Sequence, residues 1–427
     1  MTDADLAIAR LGQRGEGVAE GPHGLVYVPY ALPGEIVRAD IDGDLGHLIE
    51  FKNTRSDRIL PICPYFEACG GCAVQALPHL PYEEWKRGLV RDVLGKAGIA
   101  VEIRPLVDAH GEGRRRATFH ARVQATPNLL AHRKLRVGFM RARSHEVIDI
   151  AACPILSPKM KGAVAAAHAL AKVLAPLGKP LDLVMTASKA GLDVDLRGVG
   201  PVPTPQREAL AREAIEHNLA RVSLHGEIVL ERQTPFLSIG KSQVVLPPGA
   251  FLQATEEGEK ILADLVEEGV GSAKKVADLF SGLGTFALRL ATRATVHAVD
   301  LEGQSLAALA RAAGRTPGLR PLKTEARDLF RRPLLPQDLS RFDAVVFDPP
   351  RAGAQAQAEA LAGSTVPTVV AVSCNPATFA RDAGLLISGG YKLTRVTPLD
   401  QFKYSPHVEL VGVFRRDKAR RPRPLLG

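Results

Sequence analysis

The chain has 427 residues, 46% of them apolar, and its 55 Lys plus Arg outweigh 46 Asp plus Glu to give a net charge of +9. That length exceeds a single hydrophobic core and predicts two or three domains, while the excess of cations suits a polyanionic partner. With no run of about 18 apolar residues and no basic-then-apolar start in MTDADLAIARLG, neither a membrane span nor a signal peptide is expected, and the chain reads as a cytoplasmic protein.

In the first 58 residues, short apolar runs alternate with Gly and Pro. Val26-Tyr27-Val28 and Ile36 to Ile41 read as strands around a Leu32-Pro33-Gly34-Glu35 turn. The pattern predicts a small OB-like β-barrel, an architecture that often binds nucleic acid; the bland reading is a structural appendage. Next comes CPYFEACGGC, in which Cys63, Cys69 and Cys72 are spaced C-x5-C-x2-C, followed by a helical segment from Tyr82 to Gly98. Residues 115–250 mix strands (His120 to Val123, Val137 to Phe139, Leu192 to Leu196) with an alanine-rich helix near Lys161 to Leu177, an α+β pattern that includes the lone Cys153. From about Ala254 helices and strands alternate as in a doubly wound α/β domain. The expected division is therefore 1–58, 59–253 and 254–427, with part of 80–115 able to pack on the last unit.

The five cysteines divide into two chemistries. Three thiols within ten residues plus Cys153 have the make-up of a four-thiolate metal site, because a reducing compartment favours metal binding or catalysis over disulfides. Soft thiolates suit zinc and an iron–sulfur cluster alike. Cys374, in VSCNPATFARD, falls where the strand Thr368 to Val372 meets a loop, the place for a nucleophile rather than for a packed core thiol. Basic runs occur at Arg114-Arg115-Arg116, at His132-Arg133-Lys134 with Arg136, Arg141 and Arg143, and in a tail with Arg415, Arg416, Lys418, Arg420, Arg421 and Arg423. Each alone suits a solvated face; together they favour phosphate contacts. Aromatics at 5% exclude broad stacking platforms.

In the last unit the strand Val276 to Phe280 runs into Ser281-Gly282-Leu283-Gly284-Thr285-Phe286, and the next strand ends at Asp300. Glycines there let a ligand approach the backbone, and the acid suits ribose hydroxyls. GLGTFA alone fits a nicotinamide site or an S-adenosylmethionine site equally. Asp348-Pro349-Pro350-Arg351 after the buried run Phe342 to Phe347 favours the second, since a dehydrogenase gives no reason for a rigid acid-proline pair at the binding edge. Glu409, just before the apolar run Leu410 to Phe414, is a candidate general base.

CPYFEACGGC, FLQATEEGEK, DLFSGLGTF, FDPPRAG, VSCNPATFARD and DQFKYSPHVEL, in that order, resemble the uracil-C5 RNA methyltransferase family along essentially the whole chain. The N-terminal segment resembles the TRAM domain of members that carry an iron–sulfur cluster and modify 23S ribosomal RNA. The resemblance implies three parts: a TRAM barrel, a cluster-bearing RNA-binding domain, and a Rossmann-like class I methyltransferase domain. It implies that Cys374 attacks uracil C6 and that Glu409 removes the C5 proton. Gln253, Phe280, Thr285, Asp300, Asp328 and Asp348 would contact S-adenosylmethionine, while Cys63, Cys69, Cys72 and Cys153 would hold a [4Fe-4S] cluster, with zinc as the alternative. A target uridine in 23S rRNA is expected, acted on by a monomer; the alternatives are a tRNA T-loop uridine and an inert iron–sulfur RNA-binding protein. The architecture argues against tRNA, since bacterial tRNA enzymes usually resemble the catalytic core without these cysteines. Thr255, Ser281, Thr285, Asp300 and Lys403 depart from common family residues, which leaves the reaction intact but blurs the subfamily.

Overall fold

The computed structural model describes residues 2–126 and 129–416; His132 and Arg133 as side chains, and tail residues Lys418, Arg420, Arg421 and Arg423, lie outside the described residues. Strands β1 (Thr2–Ala7), β2 (Arg10–Leu11), β3 (Gly17–Gly21), β4 (Gly24–Val28), β5 (Ile36–Asp42) and β6 (Leu45–Asn53) form one sheet in the order β1-β5-β6-β4-β3-β2. Alternate residues point inward, so Val26, Val28, Val37 and Ala39 are buried. Leu6 on the β1 edge and Ala19 on β3 join the same core, which requires the sheet to curl over a single interior. The expected turn at residues 32–35 is held by its own glutamate. Buried Glu35 accepts the Leu32 amide at 2.7 Å and pairs with Arg58 at 2.8 Å, so its charge is not left alone in the core.

After α1 (His79–Lys96) and the short β7 (Val107–Asp108), the middle of the chain builds a second sheet. Its strands are β8 (Arg116–Thr126), β9 (Leu129–Met140), β10 (Val147–Asp149), β11 (Leu181–Ser188), β12 (Gly191–Arg197), β13 (Arg221–Leu224) and β14 (Glu227–Glu231). They are ordered β10-β9-β8-β11-β12-β13-β14. Helix α2 (Ala163–Leu174) buries Ala163, Ala166, Ala167, Leu170, Ala171 and Leu174, a stripe at helical spacing that covers Phe119, Val137, Leu183 and Met185. Helix α3 (Thr204–Glu216) provides the crossover that lets β12 and β13 run parallel in an otherwise antiparallel sheet.

The C-terminal unit opens with the hairpin β15 (Phe236–Ile239) and β16 (Ser242–Val245). Alternation follows: α4 (Glu256–Val270), β17 (Lys275–Leu279), α5 (Ala287–Leu290), β18 (Thr295–Asp300), α6 (Gly303–Arg315) and β19 (Leu322–Ala326). Then come α7 (Pro336–Leu339), β20 (Ala344–Phe347), α8 (Gln355–Ala362), β21 (Thr368–Ser373), α9 (Pro376–Ser388), β22 (Lys392–Asp400) and β23 (Glu409–Arg415). The sheet order is β19-β18-β17-β20-β21-β23-β22-β7. Strands β19 to β21 are parallel, and β23 runs backwards between β21 and β22. Val345, Val346, Val369 and Val370 are fully buried, as in a sheet covered on both faces. The chain leaves β17 in one direction and returns at β20 on its other side, so a crevice opens at the carboxyl ends of these two strands.

The core of this unit also draws on residues ahead of 254. Leu237, Ile239, Val244 and Leu246 of the hairpin pack with α4 and α6. Leu89, Val90 and Leu94 of α1 pack with Phe379 and Leu386 of α9, and β7 extends the sheet edge beside β22. Apolar helix and sheet faces need cover, and the nearest available chain supplies it.

Candidate active site

The turn after β17 is where the backbone must bend sharply. Phe280 has left the strand expected for it and takes φ 60°, followed by Gly282 at 51° and Gly284 at 87°. A Cβ on Gly284 would meet Leu309 of α6 at 2.3 Å, so this glycine serves helix packing as well as the turn. Asp300, at the end of β18, accepts the amides of Gly282 and Glu302, both at 2.8 Å. It thereby fixes the glycine loop beside its own carboxylate. Asp328 accepts the Phe330 amide at 3.0 Å, which sets the Phe330 ring 5.5 Å from that of Phe280. Gln253, Phe280, Thr285, Asp300, Asp328, Asp348, Cys374 and Glu409 all line one cavity of about 1060 Å³.

Elsewhere in that cavity a buried carboxyl, Glu409, and a half-buried one, Asp348, are joined through two amides. Gln253 Nε2 donates to Asp348 Oδ2 at 3.0 Å, and Gln253 Oε1 accepts Gln401 Nε2 at 2.9 Å. Gln401 Nε2 also donates to Glu409 Oε2 at 2.8 Å, while its Oε1 accepts the Ala254 amide at 3.0 Å. Gln401 was not singled out from the sequence, although it lies inside DQFKYSPHVEL. Burial holds both Asp348 and Glu409 above the ordinary carboxylate range, and the charge of Asp348 pushes Glu409 further up. Cys374 sits between β21 and α9. Burial, then the negative charges of Glu409 and Asp348, push its thiol up to about 11, and Arg351 opposes them. His407 is pushed down to about 4 by burial and by Arg351, Lys86 and Arg114, so it is neutral at pH 7; its Nδ1 lies 3.1 Å from Arg351 Nη2. Asn375 caps α9 by accepting the Ala377 amide at 3.1 Å and donates Nδ2 to the Arg351 carbonyl at 3.1 Å, tying the thiol loop to the Asp-Pro-Pro-Arg loop.

On β17 lies Asp278, fully buried and with no side-chain partner for its carboxylate. Burial and the neighbouring Asp348 and Asp300 raise its pKa well above the usual value. A carboxyl raised in the fold destabilises it increasingly as pH climbs above about 3.9, the unfolded value. Asp278→Asn is therefore expected to melt at a higher temperature than the unsubstituted protein at pH 8, with a smaller gap at pH 5, in thermal unfolding followed by circular dichroism.

Away from the cavity, all four remaining cysteines are unpaired thiols. The loop with Cys69 forms a bridge to Arg141, and Tyr65 reaches the Ala151 amide at 2.8 Å, bringing that loop to the segment with Cys153. Burial pushes the Cys72 thiol up to about 12, with Cys153, Cys69 and Cys63 adding to the rise, so the four sulfurs lie within electrostatic reach. Among the described residues no three His, Cys, Asp or Glu side chains draw together as ligands of one ion. Four thiols are the donor chemistry of a soft metal centre.

A parallel sheet with one reversed strand inserted between β21 and β22, acids at its tips and a half-buried thiol in its crevice define a Rossmann-like transferase of the methyltransferase type. A family model described as tRNA (Uracil-5-)-methyltransferase matches residues 322–418. An uncharacterized RNA methyltransferase of Brucella suis biovar 1 is 46% identical over 413 residues, covering 97% of this chain and 98% of that relative. The 23S rRNA (uracil(1939)-C(5))-methyltransferase RlmD of Chromohalobacter salexigens is 33% identical over 452 residues, covering 97% and 90%. The crystal structure of Pyrococcus abyssi tRNA (uracil-54, C5)-methyltransferase in complex with S-adenosyl-L-homocysteine has a TM-score of 0.71 and 22% identity, covering 96% of this chain and 100% of that one. The chain belongs to the uracil-C5 RNA methyltransferase family and is an RNA methyltransferase. No helix among the described residues is long and apolar enough to cross a membrane.

Proposed function

We propose that this enzyme forms 5-methyluridine in 23S rRNA through a covalent bond between Cys374 and uracil C6, working as a cytoplasmic monomer. The observation that carries the reading is the convergence of Cys374, Asp348 and Glu409 on one cavity, joined by the Gln253–Gln401 relay. Uracil C5 is a poor nucleophile. Bonding of Cys374 Sγ to C6 pushes the ring electrons towards the C4 carbonyl and makes C5 electron-rich. S-adenosylmethionine, when bound near Asp300, Phe280, Thr285, Asp328 and Gln253, supplies the methyl group that C5 takes. Glu409 then accepts the C5 proton, the ring double bond re-forms, and the S–C6 bond breaks to free Cys374. Asp348, bonded to Gln253 in the same cavity as Cys374 and Glu409, is suited to hold either the cofactor or the uracil ring. The uridine must leave its stack to enter, so a looped or flipped base is the substrate form.

The curled N-terminal sheet fits a TRAM role in gripping RNA. Cys63, Cys69, Cys72 and Cys153 are assigned a [4Fe-4S] cluster rather than zinc by the resemblance of CPYFEACGGC and its flanking motifs, and soft thiolates suit either. The cluster would staple the cysteine loop to the central sheet, and nothing in uracil methylation asks it to move electrons. Iron and acid-labile sulfide measured on anaerobically purified protein should approach four of each per chain, and Cys153→Ser should lower both; a full complement of zinc in their place would refute the cluster.

A second reading, a tRNA uridine as target, is favoured by the description of the matching family model. Shared architecture does not discriminate, since the P. abyssi tRNA enzyme spans the same length of fold. Mass spectrometry of 23S rRNA and tRNA from cells lacking the gene decides: loss of one 5-methyluridine from 23S rRNA supports the first reading, and loss from tRNA alone overturns it.

A further inference from the structure

Helix α1 carries a charge that none of this chemistry uses. The Lys86 side chain has no exposed surface, yet an ammonium has three N–H donors and is costly to bury unpaired. All three find acceptors on one stretch of chain. Lys86 Nζ donates to Asp400 Oδ1 at 2.8 Å, to the Phe402 carbonyl at 3.3 Å, and to the His407 carbonyl. Asp400 ends β22 and Glu409 begins β23, so these acceptors hold both ends of the connection that leads into Glu409. The second oxygen of Asp400 accepts the Tyr82 hydroxyl, one helical turn earlier in α1. That hydroxyl in turn accepts the Tyr404 amide at 2.8 Å. Tyr404 has φ 62°, left-handed backbone that a tyrosine keeps only where its surroundings impose it. Within this connection stands Gln401, whose amide reaches Gln253 and Glu409.

We propose that Lys86 is a positioning residue for the reaction: its ammonium clamps the 400–409 connection from behind and so fixes Gln401 and Glu409 against the reacting uracil. The inference rests on Glu409 being the base proposed above. Methyl transfer to C5 precedes proton removal, so a loose connection slows the last step most. Enzyme then accumulates as the methylated protein–RNA adduct. The glycine loop and Asp300, which lie at the tips of β17 and β18, are not touched by Lys86 and keep their geometry.

The test uses the full chain, unmodified 23S rRNA and tRNA transcripts, and S-adenosylmethionine with a labelled methyl group. Lys86→Met leaves Asp400 as a lone buried carboxylate, so the double substitution Lys86→Met with Asp400→Asn is made beside it. On whichever RNA the unsubstituted enzyme methylates, kcat is expected to fall about 100-fold, the cost of a misplacement near 1 Å. Cofactor Kd should change far less than kcat, because of the proposed cofactor contacts only Gln253 bonds directly to the clamped connection, and a labelled adduct that survives denaturant should rise above the unsubstituted level. Unchanged kcat overturns the proposal. So does a loss shared by kcat and cofactor affinity with no adduct, or failure of both variants to fold where Asp400→Asn alone folds. Activity surviving in Cys374→Ser would instead sink the covalent reading, and the split between kcat and Kd would still report on Lys86.

Discussion

A Cys374→Ser protein loses methyl transfer to RNA by about 10⁴-fold or more, while its affinity for S-adenosylmethionine stays the same. Removing the sulfur removes the bond that makes C5 reactive, and no neighbour can replace it. Asp348 and Glu409 are carboxyls held above their ordinary range by burial, and His407 is turned towards Arg351. The same geometry dictates how the intact enzyme responds to pH. Because burial and two nearby carboxyls push the Cys374 thiol up to about 11, the thiolate fraction grows with every step in pH below that value. Single-turnover adduct formation should therefore rise from pH 6 to pH 9. A rate that is flat or falling over this range contradicts attack by a thiol poised this way. Loss of cofactor affinity in Cys374→Ser would assign the cysteine to the binding site instead.

Glu409→Gln is expected to separate the two halves of the reaction. Attack and methylation need the thiol and the cofactor; release needs a base for the C5 proton. An amide of the same shape keeps the bond to Gln401 but accepts no proton at neutral pH. Turnover should drop by about 10²- to 10⁴-fold, the usual range for a lost general base, while one methyl group per enzyme is still transferred. The product remains joined to Cys374 as a protein–RNA species visible on denaturing gels. If Glu409→Gln turns over normally, the proton leaves by another route. In the intact enzyme the acid limb of kcat should lie above the ordinary carboxylate range, because burial and Asp348 raise Glu409.

Some of this was legible in the chain because the chemistry tolerates few substitutes at fixed places. Glycines at 282 and 284 answer to left-handed backbone, Asp300 to a strand tip, and Asp348, Cys374 and Glu409 to the same crevice. Those features are local, so spacing reveals them. Gln401 and Lys86 were invisible for the opposite reason. Their meaning lies in partners 148 and 314 residues away, and neither position breaks a local pattern. The hairpin at 236–245 and the edge strand at 107–108 were missed likewise, since a short strand on another domain's sheet looks like a loop until the sheet is assembled. The four thiols fall between these cases: three announce themselves by spacing, whereas Cys153 is joined to them by the resemblance, and the fold brings its segment to theirs through Tyr65 and Ala151.

The reversed strand of the C-terminal sheet has a bearing on when the enzyme becomes competent. Ser373 pairs with Leu410 across β21 and β23, so Cys374 and Glu409 become neighbours only because β23 runs against its companions. On the ribosome, thiol, glycine loop and acidic tips are all made before that strand exists. On the proposed roles, the newborn chain carries its thiol before its base. In the finished sheet β23 lies between β21 and β22, so the pairing that sets Cys374 beside Glu409 waits for that strand.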